Sequence, residues 1–76
     1  MNRNELGKKL LDHNVPSISF HVNGIKEGEC MCLVSSDNKW KVVYNSKGHI
    51  IDIAEFNNEN DACDFMYNEL KKEYKW

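Results

Sequence analysis

The sequence predicts an α+β domain in which a four-stranded, mainly antiparallel sheet is flanked by an N-terminal and a C-terminal helix, in the order α-β-β-β-β-α. Apolar and polar residues alternate in four short segments between positions 17 and 55, which is the period of half-buried strands. Both ends of the chain instead carry helix-start residues and apolar positions three or four apart. With 76 residues there is room for one domain, residues 1–76, and no linker.

The first helix is predicted from Glu5 to about Asp12, with Asn4 as its N-cap. Asn14-Val15-Pro16 ends it, because proline cannot continue a helix. The next segment, 17–22, alternates and predicts the first strand.

Short connections organise the remaining strands, which are predicted at 29–35, 39–44 and 49–55. Asn23-Gly24 is typical of a tight hairpin turn, although the longer 23–28 segment also fits a loose loop. Turn residues at 35–38 and 45–48 separate the other strands. Parallel strands need crossovers of about a dozen residues or more, so the sequence predicts an antiparallel meander.

The last helix is predicted to start at Asn58, with Asp61 three residues later in a capping-box position. Acidic residues are concentrated in its first turns and lysines are concentrated in its last turns, which is the arrangement that the helix dipole favours. Its apolar stripe consists of Ala62, Cys63, Met66, Leu70 and Tyr74. Two helices on one face leave the other face of the sheet partly open, and this open face is expected to carry Met31, Leu33, Val43, Ile50 and Ala54.

Composition argues against several classes of function. The formal net charge is −2 and Arg3 is the only arginine, which is a poor basis for phosphate or guanine recognition, so direct nucleic-acid binding is not expected. The first residues lack the apolar core of a signal peptide, and no run is long enough to span a bilayer, so a cytoplasmic location and no membrane contact are expected. Three cysteines, an odd number, indicate reduced thiols.

Four potential metal ligands occur, but their spacing favours packing over metal binding. Cys30-x-Cys32 within a strand places both thiols on one sheet face, whereas zinc sites favour Cys-x₂₋₄-Cys in turns, so neither a metal nor a cofactor is expected. His49 and Cys63 would complete the set. A cysteine hydrolase or redox role stays open as an enzyme hypothesis, although no histidine has a catalytic signature beside it.

A stacking platform for single-stranded nucleic acid is a further alternative, formed by the aromatic rings of Phe20 and His21 with those of Trp40 and Tyr44. Phe20, Trp40 and Tyr44 fit the buried face better, because their strands offer no other side chains large enough to meet the helices. The sequence therefore favours a core role for these three rings.

Residues 38–70 resemble the small immunity proteins of bacterial polymorphic and contact-dependent growth inhibition toxin systems. The resemblance is carried by Trp40-x-Val42-x-Tyr44, by Gly48 and Phe56, and by Glu59 with Ala62-Cys63. It implies a protein without enzymatic activity that binds a cognate toxin domain and neutralises it by stoichiometric occlusion of the active site or substrate entry. A nuclease with a basic cleft is the expected toxin, and the protein is expected to be a monomer or a weak homodimer. A small phage- or plasmid-derived regulatory or adaptor protein is the alternative.

Partner-binding residues are expected in two groups. Acidic side chains that imitate a phosphate chain would lie near one rim of the sheet, and Met31 and Leu33 would be apolar anchors on the open face. Because side chains alternate along a strand, two of the acidic residues, Asp52 and Glu55, are expected to point to different faces. The acidic candidates are Asp37, Asp52, Glu55, Glu59 and Asp61.

Overall fold

A computed structural model describes all 76 residues. Helix α1 spans Arg3–Asp12, a 3₁₀ turn Ser17–Ser19, strand β1 Phe20–His21, β2 Glu29–Ser36, β3 Lys39–Ser46, β4 His49–Phe56 and helix α2 Glu59–Tyr74. The four strands form one sheet in the order β1-β2-β3-β4. The predicted α+β class and the order of helices and strands are confirmed.

The sheet is mixed rather than wholly antiparallel. β2 with β3 and β3 with β4 are antiparallel, as predicted, but β1 runs parallel to β2 and places Phe20 beside Met31. The predicted hairpin at Asn23-Gly24 is therefore wrong. Gly24 N–H donates to the Leu33 carbonyl at 2.9 Å, so the chain runs along β2 there instead of reversing. Residues 22–28, which we call the crossover loop, return the chain to the start of β2.

Two-residue turns join the antiparallel strands, within the segments 35–38 and 45–48 where the sequence predicts turns. Asp37 and Asn38 have φ values of 48° and 65°, and Lys47 and Gly48 have φ values of 53° and 94°. Positive φ at both central residues is the requirement of a type I′ turn, whose twist matches that of the strands. These turns fix the register of β2, β3 and β4.

Helix α1 starts two residues earlier than predicted, because Asn2 rather than Asn4 is its N-cap. Glu5 N–H donates to Asn2 Oδ1 at 2.9 Å, and Asn2 N–H donates to Glu5 Oε1 at 3.0 Å, which is a complete capping box. A cap at Asn4 would place Gly7, which has no side chain, at the reciprocal position. The predicted N-cap of α2 is confirmed, since Asp61 N–H donates to Asn58 Oδ1 at 2.8 Å.

The main core lies between the sheet and both helices, on what we call the helix-covered face. Met31 and Leu33 are buried there, with exposed fractions of 7% and 1%, so their predicted placement on an open face is wrong. Strand pairing is the reason: Met31 lies opposite Tyr44 and Leu33 opposite Val42, and directly paired residues share a face. The helices contribute Leu6, Leu10, Ala62, Cys63, Met66 and Leu70 to this core.

The other side of the sheet, which we call the loop-covered face, carries a smaller buried cluster of Cys30, Cys32 and Val43. The crossover loop closes over it through the Lys26 carbonyl. This oxygen accepts hydrogen bonds from Asn45 Nδ2 at 2.7 Å and from the Cys30 thiol at 3.4 Å. Part of the predicted open face is therefore occupied by a segment of the chain itself.

Candidate partner-binding surface

Strand β4 is the most exposed element of the sheet. It lies at an edge, and every one of its residues is exposed or half-buried. Ile50, Ile51 and Ile53 are 38%, 46% and 40% exposed, which is unusual for three large apolar side chains in one short strand. Sequence reasoning placed Ile50 on an exposed face but missed the other two. The sequence signal that could have indicated them is the run Ile-Ile-Asp-Ile at 50–53, because apolar and polar residues do not alternate regularly in it.

A β-bulge organises the charged side chains of β4. Val42 pairs with Ala54, but its neighbour Val43 pairs with Asp52, which leaves Ile53 as an extra residue in β4. Asp52 and Glu55 consequently lie on the same face, and the expectation that they point to different faces is wrong. Regular alternation holds only within an unbroken strand.

Lys41 lies between these two carboxylates. Its Nζ is 3.9 Å from Asp52 Oδ2 and 3.9 Å from Glu55 Oε2. The carboxylate side chains are 70% and 52% exposed, so the ion pairs are surface pairs that orient the side chains more than they stabilise the fold. This trio carries a net charge of −1. We call Ile50, Ile51, Asp52, Ile53 and Glu55 the β4 surface.

Two of the remaining acidic candidates, Asp37 and Asp61, lie at one end of the sheet. The turn that contains Asp37 and the junction between β4 and α2 are neighbours, since Lys39 Nζ donates to Asn57 Oδ1 at 2.6 Å. Asp61 is exposed in the first turn of α2, where its Oδ2 accepts a hydrogen bond from Asn58 Nδ2 at 3.1 Å.

Glu59, at the same junction, is occupied within the fold. Its Oε2 accepts a hydrogen bond from Arg3 N–H at 2.8 Å and lies 4.0 Å from the Arg3 side-chain Nε. The Arg3 guanidinium also lies over the Trp40 ring, 5.7 Å from its centroid. Glu59 therefore joins the starts of the two helices. The predicted acidic rim is thus interspersed with the cations of Arg3, Lys39 and Lys41.

The three cysteine thiols are free and buried. Desolvation raises the pKa of Cys63 from 9.0 to about 11, and nearby Glu59 adds to the effect. Burial likewise raises the pKa of Cys32 to about 11. The Cys30 and Cys32 sulfurs are 3.5 Å apart. These are the surroundings of packed core thiols, since nucleophilic cysteines need a lowered pKa and access to solvent.

The alternative sites weighed from the sequence are not assembled. No group of three or more His, Cys, Asp or Glu side chains comes together in a way that could hold a metal ion. Of the proposed stacking rings, Phe20 is buried in the main core, and Trp40 and Tyr44 pack against it. The surface has no pocket. Neither helix combines the length and the apolar character needed to cross a membrane.

Comparison of the chain with known protein families, with curated proteins and with solved structures gave no match. On the β4 surface, Ile50 shares the loop-covered face with Asp52 and Glu55, whereas Ile51, which pairs with Tyr44, is exposed on the helix-covered face. This surface is the feature of the molecule best suited to contact another molecule.

Proposed function

We propose that this protein is an immunity protein that binds a cognate toxin domain and blocks its active site or substrate entry by stoichiometric occupancy. The β4 surface is the single observation that carries the proposal, because it combines carboxylates on one face of an exposed strand with three exposed isoleucines. The resemblance of residues 38–70 to immunity proteins supports the class of partner. A nuclease with a basic substrate cleft is the toxin that these carboxylates fit by charge.

The apolar and the charged side chains have different roles in this proposal. Ile50, on the same face as the carboxylates, and Ile53 at the bulge supply apolar area that leaves water on binding, which contributes affinity. Asp52 and Glu55 supply a local negative field that steers a basic partner, an effect worth about 10–10³-fold in association rate at low salt. Lys41 Nζ lies 3.9 Å from each carboxylate and offsets one of their two negative charges, so the steering field of the trio is that of a net charge of −1.

A small regulatory or adaptor protein is the second candidate. The isoleucines favour it as much as they favour an immunity protein, because an apolar strand does not require a basic partner. In the immunity function Asp52 and Glu55 attract a basic toxin, whereas in the adaptor function they have no required role. Charge reversal at these two positions therefore distinguishes the two functions.

The test uses the purified full chain and the toxin domain encoded by the adjacent upstream gene. The double variant Asp52→Lys with Glu55→Lys should lower the association rate roughly tenfold or more and flatten its dependence on salt, with an unchanged circular dichroism spectrum. Stopped-flow fluorescence at several salt concentrations measures both quantities. The matched control is Asp12→Lys with Glu27→Lys, which makes the same change in net charge at exposed positions on α1 and the crossover loop.

Equal slowing in the matched control would show that net charge, not the β4 surface, governs association. Failure of the unaltered chain to bind the toxin domain, or to protect cells that express it, would remove the immunity function altogether. Unchanged rates in the β4 variant, together with loss of binding in Ile53→Lys, would favour the adaptor over acidic mimicry.

A further inference from the structure

Two buried thiols on the loop-covered face lie close enough to react with each other. The Cys30 and Cys32 sulfurs are 3.5 Å apart, whereas Cys63 belongs to the main core on the other face. All three thiols are free and fully buried. Cys30 and Cys32 are therefore the pair from which a disulfide can form without unfolding of the domain.

The cover over this thiol pair is held mainly by polar contacts. No residue of the crossover loop is buried. The Lys26 carbonyl accepts from the Cys30 thiol at 3.4 Å and from Asn45 Nδ2 at 2.7 Å. The Gly28 carbonyl accepts from Lys47 N–H at 3.2 Å. A segment with so little buried apolar area opens locally at a smaller free-energy cost than global unfolding, so the thiol pair can reach solvent while the main core stays closed.

We propose that Cys30 and Cys32 form a modification site, at which a low-molecular-weight disulfide such as oxidised glutathione converts both thiols into one intramolecular disulfide and thereby releases the crossover loop. When the loop opens, the Cys30 thiol leaves the Lys26 carbonyl and loses its proton, and its thiolate attacks one sulfur of the oxidant. A mixed disulfide forms and one glutathione thiolate departs. The Cys32 thiolate then attacks the Cys30 sulfur and expels the second glutathione thiolate. Two protein thiols are oxidised, one glutathione disulfide is reduced, and the two departing thiolates take up two protons.

Oxidation removes one of the hydrogen bonds that hold the loop over β2. A disulfide has no S–H group, so the Lys26 carbonyl loses the Cys30 donor, and its contact with Asn45 Nδ2 remains. The crossover loop should therefore open more often in the oxidised chain than in the reduced chain.

The position of the two cysteines also makes the disulfide easy to reduce. Residues i and i+2 of a strand have Cα atoms roughly 6.7 Å apart, at the upper end of the approximately 4.4–6.8 Å that disulfides span. Met31, between the two cysteines, pairs with Phe20 on one side and with Tyr44 on the other, so the sheet resists the contraction that would relax the bond. Strained disulfides are readily reduced and are typically the regulatory ones. The modification is therefore reversible, and this inference does not rest on the proposed function.

Reaction of the purified, fully reduced chain with oxidised glutathione tests the site. After acid quenching, alkylation in denaturant and digestion with trypsin, Cys30 and Cys32 lie in one peptide, residues 27–39, and Cys63 lies in another, residues 48–71. We expect peptide 27–39 to lose two hydrogen atoms in mass and to escape alkylation while Cys63 is still alkylated. Dithiothreitol should restore both thiols. A stable glutathione adduct in place of the intramolecular bond, no reaction in peptide 27–39, or reaction of Cys63 at the same rate would overturn the proposal.

A variant of Asn45 tests whether the loop controls access to the thiols. Asn45→Ala removes the second donor to the Lys26 carbonyl and should speed disulfide formation roughly tenfold or more. The matched control is Asn68→Ala, an exposed position on α2, which should leave the rate unchanged. An unchanged rate in Asn45→Ala, or an equal rise in both variants, would overturn the role of the loop.

Amide hydrogen exchange of the unaltered chain tests whether oxidation releases the loop. Gly24 N–H donates to the Leu33 carbonyl and Lys47 N–H donates to the Gly28 carbonyl, so both amides report the closed loop. Exchange at both should quicken roughly threefold or more in the oxidised chain, and should return to its first rate after reduction. Equal exchange in the two forms would overturn the proposed release.

Discussion

The two faces of the sheet are closed by different means. On the helix-covered face, eleven buried apolar residues from both helices, three strands and the connection after α1 form one core. On the loop-covered face, the buried apolar residues are only Cys30, Cys32 and Val43, and the crossover loop is held over them by hydrogen bonds to the Lys26 carbonyl. One side is therefore held by apolar area and the other by a few polar contacts. Substitutions on the two faces should differ in size and in what they disturb.

Truncation of neighbouring residues on opposite faces should give the largest contrast. Leu33→Ala removes a fully buried side chain from the main core and should lower the free energy of unfolding by about 2–5 kcal/mol. Val34→Ala, on the half-buried margin of the smaller cluster, should cost roughly 1 kcal/mol or less. Urea denaturation followed by tryptophan fluorescence measures both. Equal losses would mean that the two faces contribute alike.

Alkaline pH probes one thiol on each face. Cys63 in the main core and Cys32 in the smaller cluster both have a pKa raised by burial to about 11, against 9.0 for an unperturbed thiol. The folded chain holds these protons more tightly than the unfolded chain, so unfolding releases them between pH 9 and 11 and stability falls across that window. Each thiol contributes up to about 3 kcal/mol to the fall, at roughly 1.4 kcal/mol per pKa unit.

Denaturation midpoints of Cys63→Ala and Cys32→Ala, measured from pH 8 to about pH 11, separate the two contributions. Each variant should lose part of the alkaline decline and keep the part that belongs to the other thiol. A decline that is unchanged in both variants would assign the pH dependence to other groups.

The most local expected effect concerns Asn45, whose side chain joins the crossover loop to the loop-covered face. Its side chain is buried, donates to the Lys26 carbonyl at 2.7 Å and accepts from Gly48 N–H at 2.8 Å. Asn45→Ala leaves both groups without this partner and should cost about 1–3 kcal/mol. Amide hydrogen exchange should quicken at Gly48 and along the crossover loop. The exposed Asn68 on α2 provides the control, Asn68→Ala, in which exchange at these amides should stay unchanged.

Features set by short-range chemistry were predictable from the sequence. The helices, the three longer strands and the positions of both turns follow from local periodicity, capping residues and turn residues. The predicted separation of Cys30, Cys32 and Val34 from Met31 and Leu33 is also confirmed, because it needs only the alternation of one strand.

Long-range strand pairing made two sequence-based predictions wrong: which side chains of β2 face the helices, and the direction of β1 relative to β2. Which set of β2 side chains faces the helices depends on its register with β3, and the sequence pattern left two apolar sets to choose from. The parallel pairing of β1 depends on the crossover loop passing over the thiols, although its Asn-Gly pair is typical of a hairpin. In the candidate surface, Asp52 and Glu55 were named, but Ile53 was missed because it is the bulge residue. Ile51 was missed because alternation places it on the helix-covered face, where it is nonetheless exposed.

The bulge at Ile53 shifts by one residue the alternation of β4 side chains between the two faces of the sheet. Before it, even-numbered residues such as Ile50 and Asp52 occupy the loop-covered face; after it, the odd-numbered Glu55 does. The odd- and even-numbered residues therefore exchange faces at the bulge. Deletion of Ile53 would place Ala54 directly after Asp52 in one regular alternation, so Asp52, Ala54 and Glu55 would all keep their present faces. β4 therefore contains one position whose loss would straighten the strand without exchanging its two surfaces.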